Sequence, residues 1–204
     1  MKIFITGTDT NVGKTLISSW IALHNGFSYF KPIQTGTKDG SDSLEVHKLS
    51  KTKIHPENYV YKEPLSPHLA ANVENDMIDI EKIVLPPSRN LIIEGAGGVL
   101  VPINDTYLMV DLIEKLGAPV ILVARTTLGT INHTLLSLEA LRSRNIPVLG
   151  VIMNGEKSLQ NSQAIEAYGR TSVLADFPKI ESVSMNTLKG IAPPQKLKQI
   201  LEVQ

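Results

Sequence analysis

Residues 5–16 read ITGTDTNVGKTL and contain the triplet Gly13-Lys14-Thr15. These residue types suit a bound phosphate. Glycine lets the backbone approach it, an ammonium neutralises it, and a hydroxyl reaches a magnesium ion beside it. The common phosphate-binding loop has another glycine, with four residues between it and the Gly-Lys-Thr glycine. Here that position is Thr8, and the glycine stands one step earlier at Gly7. Residues 91–102, LIIEGAGGVLVP, put Glu94 directly before Gly95, Ala96, Gly97 and Gly98. Magnesium takes oxygen ligands, so Glu94 and Thr15 are candidates for one hard-cation site. Glu94 can equally cap the next turn, and the glycines can equally make a tight turn without a ligand. Residues 29–49, YFKPIQTGTKDGSDSLEVHKL, add Lys31, Thr35 and Asp42. Lys31 reads either as a reactive ammonium or as a surface charge. Asp42 reads either as a site carboxylate or as a helix N-cap, a role open to Ser41 as well.

Chemistry at these positions requires elements that bring them to one edge. Apolar runs alternate with amphipathic stretches, and we expect strands at residues 2–6, 27–30, 90–94, 119–124, 148–153 and 172–175. Several are apolar at successive positions, as suits strands buried on both faces of a parallel sheet. Helices are expected at 14–24, 43–49, 80–84, 110–116, 131–144, 162–168 and 194–201. Asn25-Gly26 should close the first helix with a left-handed cap. Residues 51–87, with Pro56, Pro64, Pro67, Pro86 and Pro87, are the least regular and read as a surface excursion. No linker-like composition divides the chain, so residues 1–204 read as a single P-loop NTPase-like domain. The expected fold class is α/β, a three-layer, mostly parallel central sheet flanked by helices. Gly-Lys-Thr would then sit between a strand and a helix N-terminus, where unpaired N–H groups favour an anion. Lys31 and Glu94 would both lie at the carboxyl edge, where open parallel sheets collect ligands.

Composition excludes several classes. The 20 basic residues balance 20 acidic ones, which leaves no electrostatic footprint for nucleic acid or an anionic membrane. With 0 cysteines there is no disulfide, thiolate metal site or cysteine nucleophile. The opening MKIFITGTDT is too short in apolar residues for a signal-peptide core, and no apolar run reaches a membrane span. A soluble, cytoplasmic protein is expected. His47, His55 and His68 lack metal-site spacing, and Trp20 is expected to pack between sheet and helix.

The stretches GTDTNVGKT, FKPIQTGT followed by SDS, EPLSPHLAA, EGAGG, LGTINH and VIMN occur in this order over residues 2–154. Together they resemble dethiobiotin synthetases, whose own phosphate loop is one residue longer than usual. The resemblance implies an ATP- and magnesium-dependent cyclo-ligase of biotin biosynthesis. It would join 7,8-diaminopelargonate and CO2 into the cyclic urea of dethiobiotin, through a carbamate and a carbamoyl phosphate. It implies nucleotide binding by Asn11, Val12, Gly13, Lys14, Thr15, Leu16, Glu94, Gly95, Ala96, Gly97 and Asn154. Lys14, Lys31 and Thr10 would serve catalysis, and Thr15, Asp42 and Glu94 would hold Mg2+. Thr10 and Thr35 would contact the diamine or its carbamate. The family forms homodimers with substrate at the interface, so Thr130, Ile131 and Asn132 would hold the substrate's tail carboxylate from the partner subunit. Without the family, those three residues read as ordinary helix capping, with Thr130 as the cap.

The chain departs from the family pattern in places. Asn11 replaces a loop glutamate found in some members, Gly155 follows Asn154 where an acidic residue is expected, and residues 175–182 match only faintly. Only modest selectivity for the adenine base is therefore expected. A ParA/MinD-like switch ATPase would carry a lysine where Asp9 stands. An amide-forming ligase of the cobyrinate-synthase type would carry a cysteine-dependent glutaminase domain.

Overall fold

The structure is a computed structural model and describes residues 1–202. Its frame is a seven-stranded parallel sheet made of β1 (Lys2–Gly7), β2 (Ser28–Phe30), β4 (Ile54–His55), β6 (Leu91–Gly98), β7 (Val120–Arg125), β8 (Val148–Gly155) and β9 (Val173–Pro178). The strand order is β4-β2-β6-β1-β7-β8-β9. From central β1 the chain crosses to β2 on one side, while β7 to β9 step outward on the other. That reversal opens a crevice at the carboxyl edge beside β1.

Side chains alternate across the sheet, so each strand feeds two cores. Ile3 and Ile5 pack with Ile17, Trp20 and Ile21 of α1 (Lys14–Asn25), Val46 and Leu49 of α2 (Asp42–Ser50), Leu188 of α7 (Met185–Gly190) and Leu197 of α8 (Gln195–Glu202). Phe4 faces the other way. It joins a cluster holding Ala70 of α3 (Pro67–Val73), Leu112 of α4 (Met109–Leu116), Leu138 of α5 (Thr130–Arg142) and Ile165 of α6 (Leu159–Gly169). The sheet is thus covered on both faces, which is why β6 and β7 are apolar with little alternation. Among the described residues no helix is long and apolar enough to cross a membrane.

Several expected features are present. Gly26 caps α1 in the left-handed region, φ 67°, its N–H bonded to the Ala22 carbonyl. Trp20 is buried edge-on to Phe177 at 5.1 Å, and its Nε1 donates to the Ile191 carbonyl at 2.6 Å. Other expectations need correction. The helix expected at 80–84 is only a 3₁₀ turn, Ile80–Lys82, started by Asp79, whose carboxylate accepts from the Glu81 N–H. Within the stretch read as irregular lie α3 and β5 (Tyr59–Val60), which pairs in parallel with β3 (Ile33–Gln34) from outside it. Pro67 starts α3 because a first-turn N–H has no intrahelical partner to lose. The strand expected to end at Glu94 continues to Gly98, so its glycines belong to the strand. A Cβ at Gly95 would lie 2.9 Å from Phe4 Cε1, so the close approach of β1 requires glycine there.

Candidate active site

The loop after β1 enters α1 through Gly13, left-handed at φ 97°, with no side chain capping the helix. The first-turn N–H groups therefore lack intrahelical partners and face outward with the positive end of the helix dipole. A Cβ on Gly13 would sit 2.1 Å from Asn154 Nδ2, so only glycine fits against that amide. Asn11 is also left-handed, φ 58°. Above the loop lies a cleft of about 930 Å³ lined by Thr10, Asn11, Gly13, Lys14, Thr15 and Leu16 from the loop and α1. Lys31, Thr35 and Asp42 line it from the β2–α2 side, and Glu94, Ala96 and Gly97 from β6.

At its base is a cluster of charges. Lys31 and Glu94 are 3% and 1% exposed, and Lys14 is 8% exposed. The Lys31 ammonium lies 2.9 Å from Asp42 Oδ2 and 3.1 Å from Glu94 Oε1. Burial alone would lower the Lys31 pKa, but Glu94 and then Asp42 outweigh it and hold it above its ordinary value. For Asp42, burial acts upward, but the Lys31 charge together with hydrogen bonds from Lys31, Thr15 and Gln34 outweighs it, leaving the carboxyl below its usual range. Lys14 has less compensation. Burial pushes it down to about 8, opposed in part by Glu94.

Thr15 Oγ1 lies 2.8 Å from Asp42 Oδ1 and 3.0 Å from Glu94 Oε1. A hydroxyl has one proton and cannot donate to both. The three oxygens thus offer more lone pairs than protons, a donor set suited to a hard cation that also takes water and phosphate oxygens. Among the described residues no group of three or more His, Cys, Asp or Glu forms a metal cluster, so any ion here would rely on the Thr15 hydroxyl and on its other ligands.

The elements explain this convergence. Ser41 caps α2, its hydroxyl accepting from the Leu44 N–H at 3.3 Å, which frees the Asp42 carboxylate to face the cleft. Gln34 Oε1 accepts from the Asp42 N–H at 3.0 Å, and Gln34 Nε2 donates to the Thr35 carbonyl at 2.8 Å. Ser18, one turn beyond Thr15, donates to Glu94 Oε2 at 2.7 Å. Ser18 lies outside the motif triplet Gly13-Lys14-Thr15, although a serine on the apolar, buried face of α1 is a usable signal.

Other expected residues stand apart from the cleft lining. Val12 is buried behind the loop, and the Gly95 carbonyl accepts from Lys31 at 3.4 Å. Asn154 touches the loop from behind, Nδ2 donating to the Val12 carbonyl at 2.8 Å. Thr130, Ile131 and Asn132 form the first turn of α5 and are absent from the cleft lining. The cap of α5 is Gly129 at φ 92°, so Thr130 does not cap the helix; its hydroxyl is buried without a partner.

Comparison with known proteins adds to this geometry. A family model described as an AAA domain matches residues 1–187. The ATP-dependent dethiobiotin synthetase BioD of Lawsonia intracellularis (strain PHE/MN1-00) is 56% identical over 203 residues, covering 100% of each chain. That of Paramagnetospirillum magneticum (strain AMB-1) is 50% identical over 194 residues, covering 94% of this chain and 95% of its own. A ParA family ATPase from Chlorobium tepidum TLS has the same fold, with a TM-score of 0.51 at 13% identity, covering 98% of this chain and 96% of that one. With half or more of its residues shared along full-length relatives, and an α/β P-loop NTPase fold, the chain belongs to the ATP-dependent dethiobiotin synthetase family.

Proposed function

We propose that this protein closes the ureido ring of dethiobiotin from 7,8-diaminopelargonate, CO2 and ATP, acting as a cytoplasmic homodimer of single-domain subunits. One substrate amine adds to CO2 and loses a proton, giving a carbamate. A carbamate oxygen takes the γ-phosphoryl group of ATP and releases ADP. The second amine then attacks the carbamoyl carbon, phosphate leaves, and the ring closes. No protein nucleophile is needed, so the chain's work is positioning and charge stabilisation.

The observation that carries this reading is the buried pair Lys31 and Lys14 beside an open helix N-terminus, faced by Asp42, Glu94 and Thr15. Lys14 and the amides from Asn11 to Leu16 hold the phosphates, and a bound anion offsets the burial that depresses Lys14. Lys31 neutralises the carbamate and the transferring group. Thr10 and Thr35 orient the diamine, and Glu94, Gly95, Ala96, Gly97 and Asn154 complete the nucleotide site. Thr15, Asp42 and Glu94 would hold a magnesium ion, which would withdraw charge from the phosphoryl oxygens.

The tail carboxylate is received by the first turn of α5 from the partner subunit, at Thr130, Ile131 and Asn132. Gly129 leaves that turn without a side-chain cap, and although the Thr130 N–H bonds to the Thr127 carbonyl at 3.1 Å, the amides of Ile131 and Asn132 are available to an anion. Leu128, before α5, is fully exposed and Leu136, on α5, is 56% exposed, apolar surface that suits cover by a second copy.

The test is ATP turnover by the purified protein with and without 7,8-diaminopelargonate and bicarbonate. Phosphate release that depends on both supports the proposal. Release indifferent to the diamine would instead fit a switch ATPase built on the same fold.

A further inference from the structure

A phosphate loop one residue longer than usual has two more soft backbone dihedrals to hold in place. In this chain the loop also has two left-handed residues, Asn11 and Gly13. Three tethers tie it to the neighbouring strands. The Thr8 N–H donates to the Val123 carbonyl at 3.0 Å. Asn154 Nδ2 donates to the Val12 carbonyl at 2.8 Å. Between them, Arg125 Nη2 donates to Asp9 Oδ2 at 3.1 Å. Arg125 and Asn154 are register partners at the tips of β7 and β8, so adjacent strand ends grip the loop at two separate points.

Asp9 passes the grip inward. Its other carboxylate oxygen accepts from the Thr10 N–H at 2.7 Å, and its carbonyl accepts from the Lys14 ammonium at 3.2 Å. The side chains of Arg125 and Asp9 are 41% and 49% exposed, and an ion pair that open adds little to folding stability. Arg125 is also absent from the residues lining the cleft. Its consequence is geometric: it sets where Asp9 stands, and Asp9 sets where Thr10 and Lys14 stand.

We infer that Arg125, acting through Asp9, is a positioning residue that holds the lengthened loop in the shape that receives the ATP phosphates. The inference rests on the reading of this cleft as an ATP site, and that reading is checked first by ADP binding to the wild-type protein. Arg125→Ala, Asp9→Asn and the double variant are then compared by calorimetric titration with ADP, by thermal melting without ligand, and by steady-state kinetics. Each single variant should bind ADP about fivefold to tenfold more weakly, the upper part of the range for one net hydrogen bond. The double variant should be no weaker than the weaker single one, because both substitutions break the same link. The KM for ATP should rise more than kcat falls and more than the KM for the diamine, with the melting temperature unchanged. Arg125→Lys should recover part of the affinity, since it keeps the charge and loses the planar fork. Wild-type affinity in Arg125→Ala would overturn the inference. So would additive losses in the double variant, since the arginine would then act on the nucleotide independently of Asp9.

Discussion

Lys31 holds Asp42 and Glu94 at once, and the Glu94 side chain is fully buried. A buried carboxylate is costly unless it is paired, so removing the ammonium leaves an unbalanced site. Lys31→Ala should cost about 3–5 kcal/mol of stability, as breaking a buried pair does. Its effect on chemistry should be separable from that loss. Turnover should fall roughly a hundredfold or more, as when a preorganised charge-stabilising donor is lost. ADP affinity should change far less, because Lys14 and the loop amides remain. Arginine should restore little, since a planar fork does not fill the slot of a compact ammonium. Comparing kcat and ADP affinity in the folded variants checks this, and near-normal turnover in Lys31→Ala would remove the assignment. The carboxylates carry a separate expectation. Ser41, and not Asp42, caps α2, so Asp42→Asn spares the helix cap. Glu94→Gln keeps an oxygen able to accept from Ser18. Each variant should raise the magnesium concentration needed for half-maximal rate. A magnesium titration that superposes on wild type for both would mean that neither carboxylate meets the ion.

The elements around the site are held by smaller devices. Glu166 on α6 accepts from the Val173 N–H at 2.9 Å and pairs with Lys196 on α8 at 2.9 Å, tying the last helix to the edge of the sheet. The Lys196 contact first, then the Val173 N–H, hold the Glu166 carboxyl below its ordinary value of 4.5. A carboxylate depressed in the folded state adds stability above its unfolded value and loses it as pH falls through the lower folded value. Glu166→Gln should therefore destabilise at pH 7 by less than about 1 kcal/mol, the pair being largely exposed. That difference should shrink only below pH 4.5, and melting curves at several pH values test it. Most strands and helices were legible in the sequence, because two covered sheet faces leave long apolar runs such as VILVA in β7. The phosphate loop was legible from Gly13, Lys14 and Thr15 taken with Gly7 upstream, a strand before them and a helix after. Less legible was α3, because Pro67 reads as a breaker when it is in fact a favoured first helical residue. The strand runs on past Glu94 although glycines usually signal turns, because Gly95 accepts the close approach of Phe4. Pairings such as Arg125 with Asp9 join distant segments, and residue spacing carries no trace of them.

At the scale of the whole molecule, the base contact proposed for Asn154 would tie nucleotide choice to a link between distant segments, Asn154 on β8 and Val12 in the loop. Asn154 spends one amide hydrogen on Val12, leaving its carbonyl oxygen and one hydrogen for a base edge. Losing one such hydrogen bond is worth about 0.5–1.5 kcal/mol, or roughly tenfold at most. GTP and CTP should therefore support ring closure with specificity constants within roughly tenfold of that for ATP. A preference of roughly a thousandfold or more would mean that residues 155–202 build a base pocket of their own. The most direct measurement of the central claim follows carbon. The protein is incubated with ATP, magnesium, 7,8-diaminopelargonate and carbon-13 bicarbonate, and the products are weighed by mass spectrometry beside a phosphate assay. The account predicts dethiobiotin carrying the label at its ureido carbon, with one phosphate released for each ring formed. Steady phosphate release with no labelled ring would contradict it.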